Sequence, residues 1–286
     1  MSSLSLLSIA TARPPVATPQ KPASILQCLS AVPKLNDVRP ASRLEVRPAP
    51  EMVSSGIREV DALTGGLPRG CLTEVCGAVS SGRTSLLMAT LAAATRREEI
   101  CALVDVCDAL DPKSADLAGV DFEKLLWVRC GTKPPSPRRR RDTETTPKKH
   151  LSEMPVEQAL RATDLLLQSG GFGLVVVDLS DVSIQLARRI PLTSWFRFQR
   201  AVEHTSTVLF VITPVPCART CATLLLKVQA EKKLSAFSSQ LLGKSLAHTQ
   251  LLDGLQVQGE LLRSRFERKP VQSVTTAFTT TAMLAG

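Results

Sequence analysis

The chain has 286 residues, 44% of them hydrophobic and 3% aromatic, with no tyrosine and a formal net charge of +9. This length suits one domain of ordinary size with tails, or two small domains, and the apolar content is enough to bury a core. No apolar stretch reaches the roughly 20 residues of a membrane span, and the N-terminal MSSLSLLSIATARPP lacks the basic start of a secretory leader. The eight cysteines show neither C-x-x-C spacing nor a histidine placed to complete a zinc set. They read as reduced core thiols of a cytosolic protein.

Residues 1 to about 50 are rich in Pro, Ala and Ser and read as a largely disordered extension with one short apolar island at 23–32. From Val53 the texture changes. SGIREVDALTGGLPRG reads as a helix closed by a Gly/Pro turn, and CLTEVCG (71–77) as a compact buried strand. After a loop over 77–83, TSLLMATLAAATRREE (84–99) is free of Pro and Gly and is a strong helix former. A strand at 100–107, a short helix at 113–121 and a strand at 124–130 follow. KPPSPRRRRDTETTPKKH (133–150) carries seven Lys/Arg against two acids and so supplies +5 of the net charge. It reads as a disordered basic insert, suited to nucleic acid, to an acidic protein, or simply to solvent. Next come a helix at 154–171, a doubly buried strand at 173–181, a helix at 195–205 and a buried strand at 206–214. Residues 222–231 and 254–268 alternate as strands nearer an edge do, and the tail 270–286 has little core signal. Strands alternating with helices predict an α/β fold, with a mostly parallel central sheet flanked by helices on both faces, over 51–269.

GAVSSGRTSLL (77–87) has the spacing of a phosphate-binding loop: Gly77, four residues, Gly82, a cation, then Thr84 and Ser85. Glycines let backbone N–H groups curl round phosphate oxygens at a helix N-terminus, and the hydroxyl is placed for Mg. The cation is Arg83, where such loops carry lysine; its planar fork is larger and aimed differently.

Over about 51–269 the chain resembles bacterial RecA. The resemblance rests on several segments in order: SGIREVDALTGGLPRGCLTEVCGAVSSGRTSLL, CALVDVCDALDPKSADLAGVDFEKLLWVRC, the Walker B-like GFGLVVVDLSD, and TVLFVITP. It implies a RecA-like P-loop NTPase core. The implied nucleotide site is Gly77, Ser81, Gly82, Arg83, Thr84, Ser85, Asp111 and Asp178, with Mg on Thr84 and Asp178 if ATP binds. Four positions depart from the family pattern. Arg83 replaces the lysine that reaches the β/γ-phosphates, and Cys107 the glutamate that activates water. Ser114 replaces the tyrosine that stacks on adenine, and Pro214 the glutamine that relays the γ-phosphate state. The family's first DNA loop is compressed into LSDVSIQLARRIPLTSW, and the second, between VITPVPCART and LLLKVQA, is too short for its role. A strand-exchange recombinase is therefore not expected.

A RecA-like core with a degraded P-loop, shortened DNA loops and a Pro-rich extension resembles the ImuA family. These are RecA-related accessory proteins of bacterial mutagenesis cassettes that work beside ImuB, a Y-family polymerase homologue. That resemblance implies a bacterial cytoplasmic protein whose partners are an ImuB-like polymerase homologue, RecA and DNA.

Three readings of 77–85 stay open. The loop hydrolyses ATP with Glu74 or Asp105 as substitute base, binds nucleotide without turnover through its N–H groups, or is inherited scaffold. Loss of the catalytic, relay and stacking positions together weighs towards scaffold. The expected function is thus an adaptor in error-prone translesion synthesis, a pseudo-ATPase with no catalytic residue. The alternatives are a slow DNA-dependent ATPase of recombinational repair and a nucleotide-sensing regulator. Contacts to nucleic acid or a partner are expected from Arg138, Arg139, Arg140, Arg141, Arg197, Arg200, Arg263 and Arg265. Arg263 and Arg265 suit phosphate tracking or the guarding of an exposed edge strand. Trp195, Phe196 and Phe198 suit base stacking or core packing.

Overall fold

The computed structural model describes residues 49–130, 148–230, 255–266 and 274–280. The N-terminal extension to residue 48 and the four arginines Arg138, Arg139, Arg140 and Arg141 lie outside the described residues. A small antiparallel pair, β1 (Met52–Val53) and β2 (Leu67–Pro68), brackets helix α1 (Arg58–Thr64). The main sheet and its helices follow as β3 (Cys71–Gly77), α2 (Arg83–Arg96), β4 (Cys101–Asp105), α3 (Pro112–Leu117) and β5 (Leu125–Arg129). The chain continues through α4 (Lys148–Ser169), β6 (Leu174–Asp178), α5 (Ile184–Arg189), α6 (Leu192–Val202) and β7 (Val208–Thr213). It closes with β8 (Leu224–Ala230), β9 (Leu255–Ser264) and β10 (Val274–Thr280).

The eight-stranded sheet runs β10-β9-β8-β3-β7-β6-β4-β5. The six strands from β8 to β5 are parallel, and β9 and β10 add antiparallel. Strands buried on both faces have no need of polar alternation, which is why β6 (LVVVD) and β7 (VLFVIT) are continuous runs of branched residues. Their side chains still alternate between two cores. Val176, Phe210 and Ile212 face α2 with Leu86 and Leu91, whereas Val177, Leu209 and Val211 face α4 and α6 with Ala159, Trp195 and Phe198. Helices thus cover both faces, as the periodicity predicts. Among the described residues no helix is long and apolar enough to cross a membrane.

The structure departs from the sequence reading at three places. Helix α4 starts at Lys148, not at 154, so the last residues of the basic insert are helical and Pro155 lies inside the helix. A proline is best tolerated in the first turn, yet Pro155 stands at the eighth position of this helix. The segment read as a compressed loop after β6 forms α5 and the start of α6. The tail contributes β10, whose Phe278 is buried against the α2 face.

Candidate nucleotide site

Strand β3 delivers the loop 77–83 to the carboxyl edge of the sheet, where ligands of open α/β folds collect. Two glycines shape it. Gly82, at φ +89°, is the N-cap of α2, and a Cβ there would sit 2.4 Å from Cγ2 of Val257. A Cβ on Gly77 would lie 2.4 Å from the Val228 carbonyl oxygen and 2.5 Å from Ser81 Oγ. The Ser81 hydroxyl therefore folds back on Gly77, buried and without a hydrogen-bond partner. The loop has the family's spacing, but β9 packs onto it through Val257.

Arg83 is only 5% exposed. Its Nη1 donates to the carbonyl oxygen of Thr213 at 3.0 Å and to that of Ser180 at 3.2 Å. The guanidinium thus joins the ends of β6 and β7. Burial lowers its pKa, and the carboxylates of Asp178 and Asp181 oppose that shift. A guanidinium that gives donors to two main-chain carbonyls is committed to the scaffold in a way a lysine reaching for phosphate is not.

The other implied ligands have these surroundings. Thr84 and Ser85 line a cavity of about 900 Å³ with Arg58, Met88, Ser114 and Phe278. Arg83 instead borders a separate cavity of about 610 Å³, with Asp181, Pro214, Val215 and Lys227. Asp178 lines neither; it is 9% exposed and its Oδ1 accepts from the Ser180 N–H at 2.9 Å. Burial raises the Asp178 pKa, and hydrogen bonds from Ser180 work against the shift. Among the described residues no hydrogen bond joins Asp178 to Thr84. Asp111 caps α3, its Oδ2 accepting from the Ser114 N–H at 3.1 Å and from the Ser114 hydroxyl at 2.5 Å. A Mg-bound triphosphate needs the cation, the hydroxyl and the Walker carboxylate around one space. Here the cation is bonded to two main-chain carbonyls and the carboxylate to the Ser180 N–H, so Arg83 and Asp178 as placed do not fit the Mg–ATP that the fold implies.

Neither substitute base is free for the work. Glu74, fully buried, accepts from the Thr213 hydroxyl at 3.1 Å and from the N–H groups of Cys217 and Ala218 at 2.5 and 3.2 Å. Asp105, also buried, accepts from the N–H groups of Ala109 and Leu110, each at 3.0 Å, and from Trp127 Nε1 at 3.3 Å. Each carboxylate organises the loop that leaves the sheet beside it. Cys107 is exposed, yet local burial and the carboxylates of Asp181, Asp178 and Asp105 push its thiol up to about 11. It is neither a base nor an activated nucleophile.

The basic candidates separate as well. Arg263 and Arg265 donate to the carbonyl oxygens of Arg219 and Thr220 and so pin the turn between β7 and β8. β10 pairs with β9 over Leu255–Leu261, so among the described residues Arg263 and Arg265 lie past the end of that pairing. Arg197 donates to Asp164 at 2.8 Å and lies over the Phe198 ring at 5.6 Å, while Arg200 is exposed on α6. Trp195 and Phe198 are fully buried and meet edge to face, with ring centroids 6.0 Å apart; they are core, and only Phe196 is exposed. Sequence reasoning missed Val257, Lys227 and the anchoring role of Glu74. Only Glu74, a lone acid in an apolar strand, left a signal.

Residues 42–133 match the RecA N-terminal domain family. The chain is 38% identical over 130 residues to Protein RecA of Brucella canis, and equally to those of Brucella suis and Brucella melitensis. The matched stretch covers 45% of this chain and 30% of those relatives. The fold is RecA-like.

Proposed function

We propose that the protein is a RecA-like adaptor of DNA-damage tolerance that works by contact and not by nucleotide turnover. The observation that carries this reading is the commitment of Arg83 to the carbonyls of Ser180 and Thr213. That Thr84 and Arg83 open onto different cavities supports it. Likeness to RecA supports a role in DNA repair. Within that role, the lost catalytic set, the helical segment in place of the first DNA loop and the Pro-rich extension support an ImuA-type part in error-prone translesion synthesis. Its partner in that reading is a Y-family polymerase homologue in the bacterial cytoplasm, with RecA and DNA as further contacts.

The second reading is a slow DNA-dependent ATPase of recombinational repair. One observation favours it: Thr84, Ser85 and Ser114 line a single cavity of about 900 Å³, within the usual size range of small-molecule pockets. Deleting the gene separates the two. The adaptor reading expects a lower frequency of ultraviolet-induced mutation with homologous recombination intact. Lost recombination with unchanged mutagenesis contradicts it and supports the second reading.

A further inference from the structure

The cavity of about 900 Å³ that Thr84, Ser85 and Ser114 share is a long groove. Its lining runs along α2 from Thr84 to Arg96, about 18 Å of helix at 1.5 Å per residue. Gly56–Glu59, at the start of α1, and Leu117 and Ala118 of α3 border it. Ala277, Phe278 and Thr279 of β10 complete the lining. Side chains of a strand alternate between its two faces, so a cavity lying on one face touches every second residue. This cavity touches three residues in succession, and therefore meets β10 along its edge.

That edge is open. β10 ends the sheet and pairs only with β9. Among the described residues no backbone hydrogen bond reaches its outer side. Every second residue of such a strand turns its N–H and C=O outward, and proteins commonly blunt the row with charge, proline or a bulge. The opposite edge, β5, is guarded in this way. Arg129 at its end pairs with Asp108, and Lys124 just before it pairs with Asp121 at 2.9 Å and Glu98 at 2.8 Å. Val274–Thr280 has no charge and no proline, and its register with β9 runs without a bulge. The groove beside it is basic: Arg58 and Arg96 line it against one acid, Glu59. Both arginines are exposed, and among the described residues neither is in an ion pair. Arg96 gives its Nε to the Ala92 carbonyl oxygen of its own helix at 3.0 Å, which leaves its charge uncancelled.

We propose that this groove takes an extended acidic segment of a partner protein, added to β10 as a further strand. The open edge names the class of occupant, because another strand supplies donors and acceptors at the matching spacing. The walls name its side chains. Ile57, Ala89 and Leu117 offer apolar contacts, and Arg58 and Arg96 call for Asp or Glu. A second copy of this chain fits less well, since its own β10 brings no acid to the two arginines. The inference rests on the adaptor reading and says where one contact is made.

The test is fluorescence anisotropy with the full chain and a labelled peptide of alternating valine and aspartate, 7 residues long like β10. One control carries lysine for every aspartate. Two others are N-methylated at alternate amides, one at the valines and one at the aspartates. Each keeps every side chain and loses the donors of one strand edge. The expected result is binding of the aspartate peptide in preference to the lysine peptide. One N-methylated peptide loses binding at least about tenfold while the other keeps it. Arg58→Glu with Arg96→Glu turns the preference towards the lysine peptide, while thermal melting shows that the fold is kept. Absence of binding, equal binding of the lysine peptide, the same response to both N-methylated peptides, or indifference to the arginine changes overturns the proposal. ATP turnover of the same preparation is read alongside. Turnover defeats the adaptor reading, whereas a failure of peptide binding without turnover defeats the groove alone.

Discussion

Arg83 Nη1 donates to the carbonyl oxygen of Thr213 at 3.0 Å, across 130 positions of sequence. The same atom reaches Ser180 O at 3.2 Å. A side chain placed by its loop to face phosphate instead ties two strand ends together. Charged donors to buried carbonyls contribute about 1.5–3 kcal/mol each, and an abandoned carbonyl costs about 1–3 kcal/mol. Arg83→Ala is therefore expected to lower unfolding stability by about 2–4 kcal/mol in urea titration, with Arg83→Lys losing less. A neutral effect of Arg83→Ala would show that the bonds carry no structural weight.

Gly82 and Val257 are coupled. A side chain at Gly82 meets both a left-handed backbone and a Val257 methyl at 2.4 Å. Gly82→Ala should cost about 2–4 kcal/mol from these two sources. In the double variant with Val257→Ala the steric part disappears, so a double-mutant cycle should show a coupling of about 1 kcal/mol or more. Additive losses would mean that β9 does not press on the loop.

Glu74 sets a pH dependence. Burial raises its pKa, with the Cys217, Ala218 and Thr213 donors acting against the shift. A folded-state pKa above the unfolded value of about 4.3 means that the native state holds the proton longer. That contribution is fully present below the unfolded pKa and is lost as pH rises through the folded one. Stability measured from about pH 4 upward should therefore fall further in the native protein than in Glu74→Gln, whose curve lacks this step. Parallel curves would contradict the assignment.

Cys107 should alkylate slowly for an exposed cysteine. With its thiol pushed up to about 11, little thiolate exists near neutrality. Iodoacetamide labelling of a variant keeping only this cysteine should climb steadily through pH 9 and 10, past the usual thiol value of about 8.5. Asp181→Asn should speed it. A plateau by pH 9 would refute the electrostatic account.

Much of the fold was open to reading from particular runs. LVVVD and VLFVIT carry too little polarity to be anything but doubly covered strands. TSLLMATLAAATR has no residue that breaks a helix. Phe278 was missed because one buried ring among threonines makes no periodic signal, and its burial comes from pairing with β9. At the site, the departures at Arg83, Cys107, Ser114 and Pro214 were visible in one dimension. Their meaning was not: which carbonyls Arg83 meets, and that Val257 closes on Gly82, are settled only by the return of β7 and β9 to the loop. Glu74 stood out as a lone acid, and only the N–H groups of Cys217 and Ala218 tell an anchor from a base.

The central claim is that this RecA-like site is scaffold. The most direct measurement is steady-state ATP hydrolysis by the full chain, with and without single-stranded DNA, for the native protein and for Arg83→Ala. The account predicts no turnover above buffer in any of these conditions and no stimulation by DNA. Hydrolysis that DNA stimulates and Arg83→Ala abolishes would contradict it.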